Sequence, residues 1–426
     1  MNVQNLETPA PRAVRRHPRA RTRVLTSAFM SAICVLTAAA NAHAELLPIT
    51  PHTAWPARPV PERAPAEVTL PLQQIWRLEC GDDAEPLIGD IVSVAAAPDG
   101  RVLLADGQLC HVLVVSAQGK VERTVGRCGD GPGELTGAFR AVSLPDGRMG
   151  IADGCDAPGI QFGTRGNIVI LDRDDLPAGE LMAGGDPGGV PVCVPRDVRS
   201  AAGRILAVTY RAQVQPPKMT AVLELSLLDA VSGEREIAAR QLHTTDMTEL
   251  AINERDAYEP FASGRCDLSA TGRLAMAPER DRWLVAVREV DGTGFVLERP
   301  WRSVDRSPAA KDEARRQLGS ETSRIFETEP ATGLVRWRPD GHLWVEPLGA
   351  ELPPGVVACF DEFTPKGALV RRVYLAVPGA AADARLLVLE DGRLALLEGF
   401  GREPSEEAGD VAPAVTLLEV GAAGVR

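Results

Sequence analysis

Short apolar runs separated by tight polar reversals recur from about residue 90 to residue 420 of the 426-residue chain. Six reversals stand out: Ala97-Pro98-Asp99-Gly100, Leu144-Pro145-Asp146-Gly147, Ala201-Ala202-Gly203, Ala270-Thr271-Gly272, Arg338-Pro339-Asp340-Gly341 and Glu390-Asp391-Gly392. They return roughly every 40 to 65 residues, a period that marks supersecondary units burying their faces against one another. Within a unit the strands do not alternate cleanly between apolar and polar. Val112-Leu113-Val114-Val115 is apolar on both faces, as expected of a strand whose sheet is sandwiched between two others.

The spacing places four-stranded units over about 91–126, 139–183, 196–242, 266–300, 333–375 and 384–420. The last is one strand short, while Leu72–Glu79 is an apolar strand with no hairpin partner. Letting that early strand complete the last unit closes a ring and removes an exposed edge. The predicted fold is therefore all-β: a six-bladed β-propeller over 72–420, closed by an N-terminal strand and followed by a tail at 421–426.

The first 44 residues have a different character. Arg12, Arg15, Arg16, Arg19, Arg21 and Arg23 precede an apolar stretch from Val24 to Ala40 and a small-residue site at Ala42-His43-Ala44. This predicts an export signal cleaved after Ala44, a periplasmic or secreted mature protein, and no stable membrane span once the signal is removed. Residues 45–71 carry Pro48, Pro51, Pro56, Pro59, Pro61 and Pro65 and read as an extended linker with no core of its own. Removing six Arg and Glu7 takes the net charge from −12 to −17. Such a surface lacks the basic cluster that displaces counterions, so nucleic acid is not expected as a partner.

Chain direction separates the connections into two sets. Within a blade, turns between the first and second and between the third and fourth strands share one face, and all of these are compact. The other face receives the long connections: 154–166, 181–195, 211–220, 243–265, 302–332, 349–354 and 399–413. Binding and catalysis concentrate on long loops held by a rigid scaffold, so that face is the expected working face. Within 302–332, Ser307-Pro308 followed by Ala309, Ala310 and Lys311 predicts a helix capped by Ser307.

Seven cysteines remain after cleavage. Cys110 opens the third strand of the first unit and Cys128 follows its fourth, so the open end of that hairpin brings them together; Cys155 and Cys193 hold similar places in the second unit. Cys359 lies within a strand and reads as a buried thiol. No Cys-x-x-Cys occurs and only His52, His111, His243 and His342 follow the leader, so neither a metal nor another cofactor is expected. Asp106 and Asp153 end the second strands of their units on the long-loop face, where a turn role competes with ligand contact. Arg127 and Glu134 flank a Gly-rich crossing and either pair or face a ligand. Tyr258 and Arg265 close the long crossing after the third unit. These six are the candidate ligand-binding residues. No catalytic residue is assigned, because no Gly-x-Ser-x-Gly and no phosphate loop is present.

Gly126-Arg127-Cys128-Gly129-Asp130-Gly131-Pro132-Gly133-Glu134 and Gly341-His342-Leu343-Trp344-Val345 resemble the Gly-x-Gly-Pro-Gly-Glu and Gly-x-Leu-Trp-Val motifs of exported bacterial six-bladed propellers related to NHL-repeat proteins. The resemblance covers about 72–420 and implies the fold; that family has no single activity. The expected function is a binding or scaffold module that takes an unknown protein or small-molecule ligand on its long-loop face. The alternative is a propeller lyase or hydrolase acting on a carbohydrate or lactone.

Overall fold

The structure, a computed structural model, describes residues 51–80, 86–129, 134–135, 138–153, 167–182, 193–246, 254, 264–317, 324–349, 352–381, 384–400 and 413–421. Two strands come first, β1 (Ala57–Pro59) and β2 (Glu67–Glu79). A four-stranded antiparallel sheet follows: β3 (Ile91–Ala96), β4 (Val102–Asp106), β5 (His111–Val115) and β6 (Val121–Val125). The next contains β7 (Ala138–Ser143), β8 (Met149–Asp153), β9 (Asn167–Leu171) and β10 (Pro177–Met182). A third contains β11 (Cys193–Ala201), β12 (Arg204–Gln215), β13 (Lys218–Asp229) and β14 (Arg235–Asp246). β15 (Cys266–Leu268), β16 (Leu274–Met276), β17 (Leu284–Arg288) and β18 (Gly294–Glu298) make the fourth, with β1 added in parallel outside β18. β19 (Val335–Trp337), β20 (Leu343–Val345), β21 (Val356–Phe363) and β22 (Leu369–Ala376) join β23 (Arg385–Val388), β24 (Leu394–Glu398) and β25 (Ala414–Val420) into one eight-stranded sheet through β2.

β2 has two halves with different partners. Glu67–Pro71 runs parallel to β22, and Leu72–Glu79 runs antiparallel to β25 with Leu72 opposite Val420 and Glu79 opposite Ala414. The pairing of Leu72–Glu79 with the C-terminal strand is the one the strand count called for. The Pro-rich stretch before it packs on the sheets: Pro51–Ala54 forms a short 3-10 helix, β1 covers the free edge of β18, His52 and Val60 are buried, and Arg58 lies over the Phe295 ring. An added strand removes the unpaired edge that β18 would otherwise offer.

The core lies between the sheets, which is why β4 and β5 are buried along nearly their whole length. Val112, Val114, Ile151 and Val169 join the β3–β6 sheet to the β7–β10 sheet. Ile168, Ile170, Ile205 and Leu228 join that sheet to the next. Val208 and Leu225 meet Met276 and Leu284; Val285 and Leu297 meet Val335 and Phe363; Trp344 and Phe360 meet Leu394 and Leu396. Leu104 and Leu113 then meet Ala395 and Val415, so the last strands pack against the first sheet. Sheets apolar on both faces, each packed on its predecessor and successor, form a β-propeller.

One face is nearly uniform. Ala97–Arg101, Leu144–Arg148, Ser269–Arg273, Arg338–His342 and Leu389–Arg393 each begin with a residue whose N–H donates to the carbonyl of the last, while the Gly N–H donates to the first. These are type I turns closed by a Gly bulge, and they require a left-handed fourth residue, with φ between +83° and +87° at Gly100, Gly147, Gly272, Gly341 and Gly392. Arginines in or beside the turns tie neighbouring sheets together. Arg148 donates to Ala230 O, Arg273 to Pro365 O, Arg338 to Gly392 O, and Arg393 to Gly100 O, again linking the last sheet to the first.

The other face holds one correction. Arg211–Thr220, expected to be a loop, is the far end of a hairpin in which β12 and β13 pair from Arg204↔Asp229 to Gln215↔Lys218, with Pro216-Pro217 at its tip. The expected helix is present as α1 (Pro308–Gln317), capped by Ser307, whose Oγ accepts from Ala310 N at 3.1 Å.

Candidate functional site

The first strand of each four-stranded unit faces the others around an axis. Ser200 in β11 donates to Ser143 O in β7; Arg140 in β7 donates to Val92 O in β3; Arg385 in β23 donates to Ile91 O in β3. Across β15 and β19, Val335 N–H bonds Gly264 O and Trp337 N–H bonds the Asp267 carboxylate at 2.7 Å. Six charged side chains meet there: Arg140, Asp197, Arg199, Asp267, Arg336 and Glu390.

Arg199 spans the axis. From β11 its Nη1 lies 3.5 Å from Glu390 Oε1, beyond the end of β23, and its Nε lies 3.9 Å from Asp267 Oδ1 in β15. Glu390 in turn accepts from Ala96 N at 3.0 Å, so one guanidinium and one carboxylate link four units. Burial opposes the charge on Arg199, but Asp197, Asp267 and Glu390 outweigh it and raise its pKa. Burial raises the pKa of Asp267 and of Glu390, with Arg199 opposing in both cases. Burial and Arg199 lower the pKa of Arg336 to about 10. This network fastens the units to one another, and its cost in desolvation is recovered only because each charge has a partner on a different strand.

Asp197 is the exception within it. The side chain is 4% exposed, its nearest cation is Arg140 Nε at 3.4 Å, and neither carboxylate oxygen accepts a hydrogen bond. It sits where the β11–β12 register shifts between Pro195 and Asp197. A bulge at that point re-aims the side chain.

Among the described residues, the free thiols are not poised for nucleophilic chemistry. Burial pushes Cys80 up to about 12, Cys359 up to about 11 and Cys266 well above its ordinary value. A protonated, buried thiol is inert. Cys359 is buried, as its strand position predicted.

The sequence candidates fall in several places. Asp106 is fully buried, and its oxygens accept from Gly89 N at 2.6 Å, Asp90 N at 3.2 Å, Gln108 N at 3.0 Å and Leu109 N at 2.9 Å. Those four donors give it the turn role, clamping the crossing before β3 to the β4–β5 connection. Arg127 pairs with Glu134 at 2.6 Å, across a short bridge between Cys128 and Leu135. Arg265 is 5% exposed beside β15; burial and the Arg280 charge bring it down to about 10. The Asp153 side chain and Tyr258 lie outside the described residues, as do Cys155 and the Cys193 side chain. Cys110 and Cys128 are joined, with Cα atoms 5.0 Å apart. Of the described candidates, Arg265 borders the axial group, through Gly264 and Cys266, whose carbonyls receive Arg336 Nη1 at 2.7 and 3.2 Å.

The compact-turn face carries a cleft of about 330 Å³ between the first two sheets. Its arginines are engaged: Arg101 with Asp99, Arg123 with Asp175, Arg148 with Asp146, and Arg173 with the main-chain oxygen of Asp146. No group of three or more His, Cys, Asp or Glu side chains arranged to hold a metal ion occurs among the described residues. No helix among them is long and apolar enough to cross a membrane.

No protein-family model matches the chain, and no curated protein does. Among solved structures it is similar to a member of the DUF4221 family from Bacteroides vulgatus, at 11% identity over 82% of this chain and 97% of that one, with a TM-score of 0.45. It is also similar to the PQQ-bound form of aldose sugar dehydrogenase from Streptomyces coelicolor, at 11% identity over 82% and 97%, TM-score 0.41. A third is virginiamycin B lyase from Staphylococcus aureus, at 9% identity over 76% and 80%, TM-score 0.37. Likenesses this distant carry no argument about activity.

Proposed function

We propose that the chain is an exported six-bladed β-propeller related to NHL-repeat proteins, and that it acts as a binding or scaffold module through the face that carries its long connections. Residues 1–44 are the leader, cleaved after Ala44, and the mature protein is periplasmic or secreted. The ring runs from 72 to 420, with β2 as the outer strand of the last blade.

The observation that carries this reading is the inequality of the two faces. On one, five-residue turns are cross-tied by arginines from sheet to sheet. On the other, strand ends are separated by 2 residues between β12 and β13 and by 36 between β18 and β19. Uniform turns serve the scaffold, whereas connections of such different length give a surface its individuality. The axial charges support a binder as well, since Arg199, Asp267 and Glu390 are spent on one another.

The test is a thermal-shift screen of the mature protein against neutral sugars, dipeptides and calcium, followed by two variants. One replaces 154–166 with a short Gly-Ser linker, and the other replaces Asp146-Gly147 with Asn-Gly. A ligand shift lost in the first and kept in the second supports the reading. The opposite pattern, or turnover of a lactone or glycoside by the same protein, overturns it.

A further inference from the structure

We propose that residues 51–60 are a strap that stays latched on the fourth sheet at neutral pH and lets go in mild acid, with His52 as the latch and the outer edge of β18 as what it uncovers. The device lies at the outer edge of that sheet and does not depend on the reading of the long-connection face.

The main chain holds this strap lightly. β1 is three residues long and exposed throughout. Its ladder is flanked by Val296 N–H bonding Pro56 O at 3.0 Å and Val60 N–H bonding Glu298 O at 2.8 Å, and Pro56, Pro59 and Pro61 have no N–H to add. Side chains do the rest. The Trp55 ring packs where Gly294 leaves room, since a Cβ there would stand 2.6 Å from it; Arg58 covers the Phe295 ring and donates to Lys366 O; Val60 is buried with Val285 and Leu297. Beyond Val60 the chain is exposed except at Ala64, and β2 is held separately, by Arg372 N–H to Ala66 O and the ladder from Glu67. Residues 51–60 can therefore leave as one unit, the kind of local opening that needs little free energy where few apolar contacts are broken.

His52 is the buried titratable group of the strap, at 7% exposure. Two side chains of the β16–β17 connection face it. Glu279 Oε1 stands 3.8 Å from Nε2, but Glu279 also accepts from Arg282 at 2.9 Å, and Arg282 in turn reaches Glu298 of β18 at 2.6 Å. A proton taken up here would place a second cation beside Arg282 in a buried site. Burial lowers the pKa of the docked imidazole, with Glu279 opposing and Arg282 adding to the shift. A released imidazole titrates near about 6.5, so protons bind the released strap better than the docked one. The latch is at full strength above about pH 6.5 and weakens below it, by at most about tenfold per pH unit, until the docked imidazole titrates as well. Release leaves β18 with an unpaired edge beside the bare Phe295 ring, which is what an extended segment needs in order to add as a strand.

The experiment is amide hydrogen exchange of the mature chain between about pH 7.5 and about pH 5.5, corrected for the intrinsic pH dependence of exchange and read by mass spectrometry on peptides covering 51–60, 294–298 and 102–115. The first two hold the Val60 and Val296 N–H groups and should lose protection by between about threefold and about tenfold, while the third, in the buried β4 and β5, keeps it. His52→Gln should remove the pH dependence of the strap. Trp55→Ala should speed its exchange at both ends of the range and keep the pH step. Equal protection of the strap at the two ends in the wild type would overturn the proposal, as would a step that survives in His52→Gln or one shared by 102–115, which would mark unfolding of the ring. If either variant leaves the strap undocked at every pH, the wild-type profile together with the other variant decides.

Discussion

Reduction of the Cys110–Cys128 bond is a perturbation whose size follows from the chain. The cysteines are 18 residues apart and close a loop containing β5, its turn and β6. Loop-closure entropy for that length corresponds to about 3 kcal/mol at 25 °C. For a ring of roughly 350 residues, the unfolding entropy is about 0.7 kcal/mol per degree, so reduction should lower the melting temperature by about 4 °C. The assay is calorimetry with and without a phosphine reductant, with alkylation of Cys110 and Cys128 verified at peptide level. Cys110 also has φ +51°, a left-handed conformation that a non-Gly residue adopts at a cost. Cys110→Asn with Cys128→Ser should therefore melt above Cys110→Ser with Cys128→Ser, by a stability difference of up to about 1 kcal/mol. A protein alkylated at both positions that melts like the oxidised one would refute the reasoning.

Two further outcomes follow from single side chains. Asp106→Ala removes the acceptor of four main-chain N–H groups and should cost about 3 kcal/mol in denaturant unfolding, with Asp106→Asn retaining part of it; a loss below about 0.5 kcal/mol would contradict the clamp role. Burial lowers the pKa of His52, although Glu279 at 3.8 Å opposes that shift. The unfolded chain thus takes up a proton more readily, so stability should fall as pH drops below about 6.5. His52→Asn should flatten that part of the pH profile of melting temperature, and an unchanged profile would contradict the assignment.

The fold was legible where local chemistry forces a shape. Pro-Asp-Gly and Thr-Gly reversals admit few backbone turns, so the compact face could be read residue by residue, as could the Ser307 cap and the hairpin that brings Cys110 to Cys128. The strand count exposed Leu72–Glu79 as a partner for Val415–Val420 for the same reason. Arg211–Thr220 was misread because Pro216-Pro217 and the polar Gln213, Gln215 and Lys218 look like a loop, although Ala212 and Val214 keep strand alternation. The axial group left no local signal. Arg140, Asp197, Arg199, Asp267, Arg336 and Glu390 are spread over 250 residues, one or two to a unit, and only closure of the units around an axis brings them together. Asp106 stands out in the sequence by its position at the end of β4, but its four main-chain donors come from both sides of that strand and leave no local signal.

Ring closure by β2 is tested most directly by a cross-link in register. Gln73 and Glu419 are exposed partners on antiparallel strands, where Cβ atoms stand about 4.5–5.5 Å apart. Gln73→Cys with Glu419→Cys should form an intramolecular disulfide on mild oxidation, identified by peptide mass, and should raise the melting temperature. Failure to link, or linkage only between molecules, would contradict closure of the ring by its N-terminal strand.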